Sequence, residues 1–214
     1  MSSTDIFTLF GGLGFFLFGM KLMSEGLEKA AGAKMRGILE FFTKNRFIGM
    51  VVGIVFTAII QSSNATTVMV VSFVDAGLMN LMQASGVILG ANIGTTVTGQ
   101  LIAFDLSDIA PLVVIIGVVM VMFCKKQNVK KIGEVVLGFG ILFMGLRIMG
   151  ESMEAVKESP QILEFLSSLT SPFTAILVGF VITAILQSSS ATVGIILLMV
   201  SQKLLAFDIC PFII

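Results

Sequence analysis

The stretch Val52–Thr66, VGIVFTAIIQSSNAT, is matched 126 residues later by Val178–Thr192, VGFVITAILQSSSAT. Eleven of the fifteen aligned residues are identical, and the alignment needs no gap. At the same offset Gly14–Glu28 (GFFLFGMKLMSEGLE) meets Gly140–Glu154 (GILFMGLRIMGESME) more weakly. Two apolar helices resemble each other by composition, but composition does not reproduce a polar Gln-Ser-Ser core inside an apolar run. The chain therefore reads as a duplicated unit. Residues 1–131 form the first repeat and 132–214 the second.

The repeats are built for a bilayer. Of 214 residues 56% are apolar and 12% charged, about half the charge of a soluble domain. The excess lies in long apolar runs, which specifies an all-α polytopic membrane protein in the cell (inner or plasma) membrane. Thirteen basic and thirteen acidic residues cancel, so no basic stripe exists to neutralise nucleic-acid phosphates. There is no His, which removes His-based nucleophile pairs, proton relays and His-ligated metals. A serine here has no nearby buried Lys as base either, so no enzyme is expected. The two cysteines, Cys124 and Cys210, lie far apart with no metal-binding spacing. The absence of Trp and Tyr beside nineteen Phe has no physical account in the sequence.

Charge and length set the expected topology. The run Ile6–Met23 would span roughly 27 Å as a helix. Its leader carries an acid and no Lys or Arg, unlike a signal peptide, so it reads as a retained transmembrane helix. Beyond it, Ser24–Arg46 holds Lys29, Lys34, Arg36, Lys44 and Arg46 against Glu25, Glu28 and Glu40, and reads as an amphipathic helix lying on the inner surface. The equivalent Gly150–Pro172 holds only Lys157 against Glu151, Glu154, Glu158 and Glu164, and is expected outside. Cys124–Lys131 (CKKQNVKK) belongs inside and Asp105–Asp108 outside, which leaves the N-terminus outside. Gly86–Phe104 and Pro111–Phe123 are the further crossings, and Phe47–Met82 then crosses a net zero times. Its arms are interrupted by Gln61–Thr67, as in a re-entrant hairpin. Each repeat thus has a transmembrane helix, a re-entrant hairpin and further discontinuous helices. An odd number of crossings inverts the second copy, and such inverted repeats place a transport site where the halves meet.

Three polar segments interrupt the apolar runs: Gln61–Thr67 (QSSNATT), Gly90–Thr96 (GANIGTT) and Gln187–Thr192 (QSSSAT). Irregular backbone at membrane depth survives only where protein or a wet cavity satisfies it. Gln61, Ser62, Ser63, Asn64 and Thr66 supply hard oxygens suited to Na+, as do Gln187, Ser188, Ser189, Ser190 and Thr192 in the second copy. Asn92, Thr95 and Thr96 add to them. Ser62, Ser63 and Asn64 are natural N-caps, and the helix starts behind them attract an anion. Gly90 and Gly94 are expected to let backbone approach a ligand, while Gly11, Gly12, Gly14 and Gly19 are expected to pack helices. Lys21 and Arg147 are expected to snorkel to the interface, and Asp75 to lie solvated there. If the Gln-Ser clusters served only helix packing, two costly glutamines would have to find partners in lipid.

These motifs resemble the type II sodium–phosphate cotransporters. The resemblance rests on the two Gln-Ser-Ser clusters with GANIGTT beside the first, and it extends over essentially the whole chain. It implies Na+-driven uptake of inorganic phosphate, with the clusters lining the phosphate and Na+ site, and no organic cofactor. Asn64 stands where the second copy has Ser190, which preserves an oxygen ligand. A passive anion channel or phosphate exporter, and a non-transporting membrane assembly module, are the alternatives. The offset carries Gly90 to position 216, past Ile214, so the second repeat is expected to be incomplete here. A second copy in a homo-oligomer is the expected source of the missing half.

Overall fold

The computed structural model describes residues 3–42, 45–104, 106–157, 159–168 and 171–214. They form α1 (Ser3–Phe42), α2 (Arg46–Ile60), α3 (Ser63–Asp75), α4 (Leu81–Ala103), α5 (Ala110–Phe123), α6 (Gln127–Lys157), α7 (Pro160–Ser168), α8 (Pro172–Leu186), α9 (Ser189–Ser201), a 3-10 turn (Phe207–Ile209) and α10 (Cys210–Ile213). No strand occurs among the described residues. Three stretches, Ser3–Ala31, Leu81–Ala103 and Gln127–Glu154, are long and apolar enough to cross a membrane. The apolar α2, α5, α8 and α9 are shorter. At 14 residues, α5 rises roughly 21 Å, less than a full span. The protein is an all-helical membrane protein.

Several boundaries correct the sequence reading. The expected surface helix at Ser24–Arg46 is not a separate element, because α1 runs unbroken from Ser3 to Phe42. No proline interrupts that run, and Ser24 starts no helix: its hydroxyl donates to the carbonyl of Ile60 at 3.2 Å. Most of Gly150–Pro172, expected as a loop, is the end of α6 and all of α7. α4 begins five residues before Gly86, where Asn80 and Gln83 cap it reciprocally through bonds of 2.8 and 2.9 Å. The side chains of Lys34, Arg36, Glu40, Lys44, Asp105 and Glu158 lie outside the described residues.

Two compact units divide the chain by contact. One comprises Lys21–Leu101 and Val113–Phe139. Its core gathers Phe56 and Ile60 of α2, Val70 of α3, and Ala84 and Val87 of α4, with Met79 from the turn between α3 and α4. Here α2 lies directly on α4. A Cβ at Gly86 would overlap the carbonyl of Arg46, one at Gly90 that of Met50, and one at Gly94 would come within 2.6 Å of the Ile54 oxygen. Both rows advance by four residues, so the helices meet backbone to backbone along a small-residue seam. Gly90 and Gly94 therefore admit a neighbouring helix and not a ligand, which overturns the expectation for them. In the same unit Gly26 of α1 meets Val135 and Lys131 of α6, and Lys29 bonds Glu134 at 2.8 Å.

The other unit comprises Met1–Met20, Ile102–Leu112 and Gly140–Ile214. Gly12 of α1 packs on Gly145 and Met149 of α6, as expected of it, whereas nothing lies within 4 Å of a Cβ built at Gly11 or Gly14. These two glycines are not packing positions among the described residues. Phe16, fully buried, meets Gly145 and Gly194. A second core holds Ala175, Ile196, Leu205, Ile209, Cys210 and Ile213. A Cβ at Gly179 would overlap the carbonyl of Ile213, as one at Gly53 would overlap that of Val87. Gly179 and Ile213 stand 126 positions after Gly53 and Val87.

Candidate functional site

The helix breaks at Gln61 and Gln187 follow from local chemistry. Gln61 ends α2 in the left-handed conformation, φ 58° and ψ 28°, and Gln187 ends α8 at φ 53° and ψ 26°. An L-residue adopts this conformation at a steric cost that glycine avoids, so each Gln must be held. Its backbone N–H reaches the carbonyl of Thr57 at 2.7 Å or Thr183 at 2.8 Å. Its Nε2 donates to the carbonyl of Ala58 or Ala184, at 2.6 Å in both copies. The amide thus closes over the end of its own helix and satisfies a carbonyl that the break would otherwise leave open.

The next residue starts the next helix. Ser62 and Ser188 are extended, and each Oγ accepts from the N–H three residues on, Ala65 at 3.1 Å and Ala191 at 3.2 Å. Of the three residues with N-cap character, Ser62 takes the role. A hydroxyl pair, buried in the first copy and half-buried in the second, ties the two arms: Thr57 to Thr66 and Thr183 to Thr192, both at 2.8 Å. The backbone N–H groups of Ser63 and Asn64 have no partner among the described residues, nor do those of Ser189 and Ser190. They lie at the positive end of α3 and α9 and can receive an anion.

Around the first turn, Gln61, Ser62 and Ser63 are half-buried, Asn64 is exposed and Thr66 is buried. Around the second, Gln187 and Ser189 are exposed, Ser188 and Ser190 half-buried, and Thr192 buried. The α4 motif contributes differently from expectation. Asn92 and Thr96 are exposed, and the hydroxyls of Thr95 and Thr96 bond carbonyls of their own helix, at 3.1 and 2.7 Å. The group that reaches the turn is Thr98, only 4% exposed, whose hydroxyl donates to Oε1 of Gln61 at 2.7 Å. Thr98 continues the four-residue row of Gly86, Gly90 and Gly94, and that spacing was the available signal. Thr57 and Thr183 were likewise missed, although they are identical between the repeats.

Gln61 is therefore fixed at both ends of its carboxamide, with one Oε1 lone pair and one N–H still to offer. Thr98→Val should lower any activity that depends on the Gln61 amide about tenfold, the cost of one hydrogen bond of ~1.4 kcal/mol. Thr98→Ser should restore it. Parent-level activity in the valine variant would exclude a positioning role. Among the described residues no group of three or more His, Cys, Asp or Glu could hold a metal ion.

The Na+/Pi-cotransporter family matches residues 15–151 and again 148–214. The uncharacterized protein YqeW of Bacillus subtilis strain 168 is 33% identical over 194 residues, 89% of this chain and 62% of YqeW. YjbB of Escherichia coli K12, named for inorganic phosphate export, is 28% identical over 202 residues, 94% of this chain and 37% of YjbB. The human sodium-dependent phosphate transport protein 2B is 36% identical over 100 residues, 44% of this chain and 14% of that protein. The chain thus spans less than two thirds of the length of these relatives. No solved structure matches.

Proposed function

The chain belongs to the Na+/Pi-cotransporter family, and from that membership and the two Gln-Ser turns we propose that it carries inorganic phosphate across the cell membrane, driven by Na+. The observation that carries the reading is the duplicated turn. Each copy sets a left-handed Gln, a capping Ser and two unpartnered N–H groups in the same order. The N–H groups and serine hydroxyls suit phosphate oxygens, and the amide and hydroxyl oxygens suit Na+. Co-bound Na+ offsets the charge of the anion, so the centre needs no fixed cation.

The site residues of this reading are Gln61, Ser62, Ser63, Asn64 and Thr66, with Gln187, Ser188, Ser189, Ser190 and Thr192, and with Asn92, Thr95 and Thr96 further along α4. The repeats are residues 1–131 and 132–214, inverted, each with a re-entrant hairpin, and the N-terminus is outside. One feature supports inversion: in each compact unit α1 runs antiparallel to its repeat partner α6. Gly12 and Phe16 meet Met149 and Gly145 in one unit, and Gly26 meets Val135 and Lys131 in the other.

A second reading, phosphate export, is favoured by the name of YjbB. Radiolabelled phosphate flux in proteoliposomes separates the two. Uptake should rise with an inward Na+ gradient and collapse when the gradient is dissipated. Flux that ignores Na+ and does not saturate would make the protein a passive pore. No flux at all under either gradient would leave an assembly module.

A further inference from the structure

The thirteen basic and thirteen acidic residues cancel over the chain but not within its compact units. The unit of Lys21–Leu101 and Val113–Phe139 holds ten of the basic residues and five of the acidic; the other unit holds three and eight. Four of the ten are lysines within Cys124–Lys131 (CKKQNVKK), at the turn from α5 into α6. Lys131 is engaged inside the protein: its Nζ donates to the carbonyl of Lys29 at 3.0 Å, and Lys29 bonds Glu134. Lys125, Lys126 and Lys130 make no ion pair among the described residues. The first two are exposed.

An apolar surface leads into this turn. α5 carries no charged, amide or hydroxyl side chain. One face packs on α6, where Gly117 meets Leu137 and Gly133 meets Met120 and Val121. The opposite face, formed by Ile115, Ile116, Val119, Met122 and Phe123, is exposed, and it ends in Met122 and Phe123 at 71% and 74% exposure. Their spacing keeps these five residues on one side of the helix, so a continuous apolar strip runs into the lysines. The 14 residues of α5 rise roughly 21 Å, against about 30 Å of hydrocarbon. A short span draws the turn that follows it toward the lipid phosphates, and the lysine stems extend to meet them.

Lysines beside a crossing also orient it during insertion, but that role needs no apolar strip alongside and no lysines left without an acid. An apolar strip ending in free lysines matches an amphiphile with an acidic head. We propose that the α5–α6 turn binds an anionic phospholipid: Lys125, Lys126 and Lys130 hold the headgroup phosphate, and an acyl chain lies along Ile115–Phe123. The backbone N–H groups of Gln127 and Asn128, which open α6 without a partner among the described residues, add two donors. A zwitterionic lipid presents the same phosphate but carries its own ammonium, which these lysines repel. None of these residues belongs to a Gln-Ser turn, so the lipid site does not depend on the transport reading.

The chain has neither Trp nor Tyr, so Phe123→Trp installs a single tryptophan where the strip meets the turn. In proteoliposomes of mixed phosphatidylcholine and phosphatidylglycerol, quenching by brominated forms of each lipid gives their relative binding constant at that position. It should favour phosphatidylglycerol about tenfold; Lys126→Gln should lower the preference about fivefold, and Lys125→Gln with Lys126→Gln should bring it near equality. Lys21→Gln, which removes a lysine paired with Glu25 on α1, should leave it unchanged. Equal quenching by the two lipids, or a preference that survives loss of both turn lysines, would overturn the proposal. So would an equal loss in Lys21→Gln, which would reduce the effect to net charge. Inorganic phosphate added at constant ionic strength should not displace the lipid. If it abolished the preference, the lysines would be collecting free phosphate and the lipid site would be refuted.

Discussion

Gln61→Leu and Gln187→Leu should each reduce phosphate flux about a hundredfold or more while the protein still reaches the membrane. In the first turn leucine would strand the Thr98 hydroxyl and the Ala58 carbonyl, which now bond the two ends of the amide at 2.7 and 2.6 Å. Each stranded buried group costs about 1–3 kcal/mol. Leucine must also hold φ near 58°, a strain of roughly 1–2 kcal/mol. The second turn loses the matching bond to Ala184. A control separates strain from chemistry. Gln61→Gly accepts the left-handed backbone without penalty but offers no amide, so it should insert well and still fail to transport. Parent-level flux in either leucine variant would mean that the turns are packing elements, and the proposed site would be wrong.

The second large effect is on folding. Helix propensity alone says that Gly90→Ala should stabilise α4 by about 1 kcal/mol. The seam says the reverse, because the added methyl would overlap the carbonyl of Met50 and crowd the backbone nitrogen of Ile54. A backbone carbonyl inside a helix cannot rotate away as a side chain can, so α2 must be displaced and the bond between Gln61 and Thr98 with it. Overpacking of this kind costs about 3 kcal/mol or more. Thermal unfolding in detergent should show a markedly lower midpoint for Gly90→Ala. Gly14→Ala, with nothing within 4 Å of its new methyl, should match or exceed the parent. Equal midpoints for the two variants would refute the seam.

What the sequence by itself determined is what neighbouring residues settle among themselves. The duplication, the apolar helices, and the helix ends at Gln61 and Gln187 could all be read from it, because a cap or a break is a hydrogen-bond decision within a few residues. The Gln-Ser turns were found in the same way, and Ser62 and Ser188 do cap α3 and α9. Tertiary packing decided the rest. The polar residues of α4 are spread around its circumference, so no single polar face says which side meets α2. Only backbone contact at Gly86, Gly90 and Gly94 turns Thr98 toward Gln61 and leaves Asn92 and Thr96 exposed. The glycines were legible as small residues, but what approached them was not, since a ligand and a second helix need the same absent Cβ. The continuity of α1 was hidden for a related reason. Whether Ser24 ends a helix or bonds Ile60 depends on groups far away in sequence that only the folded chain brings near.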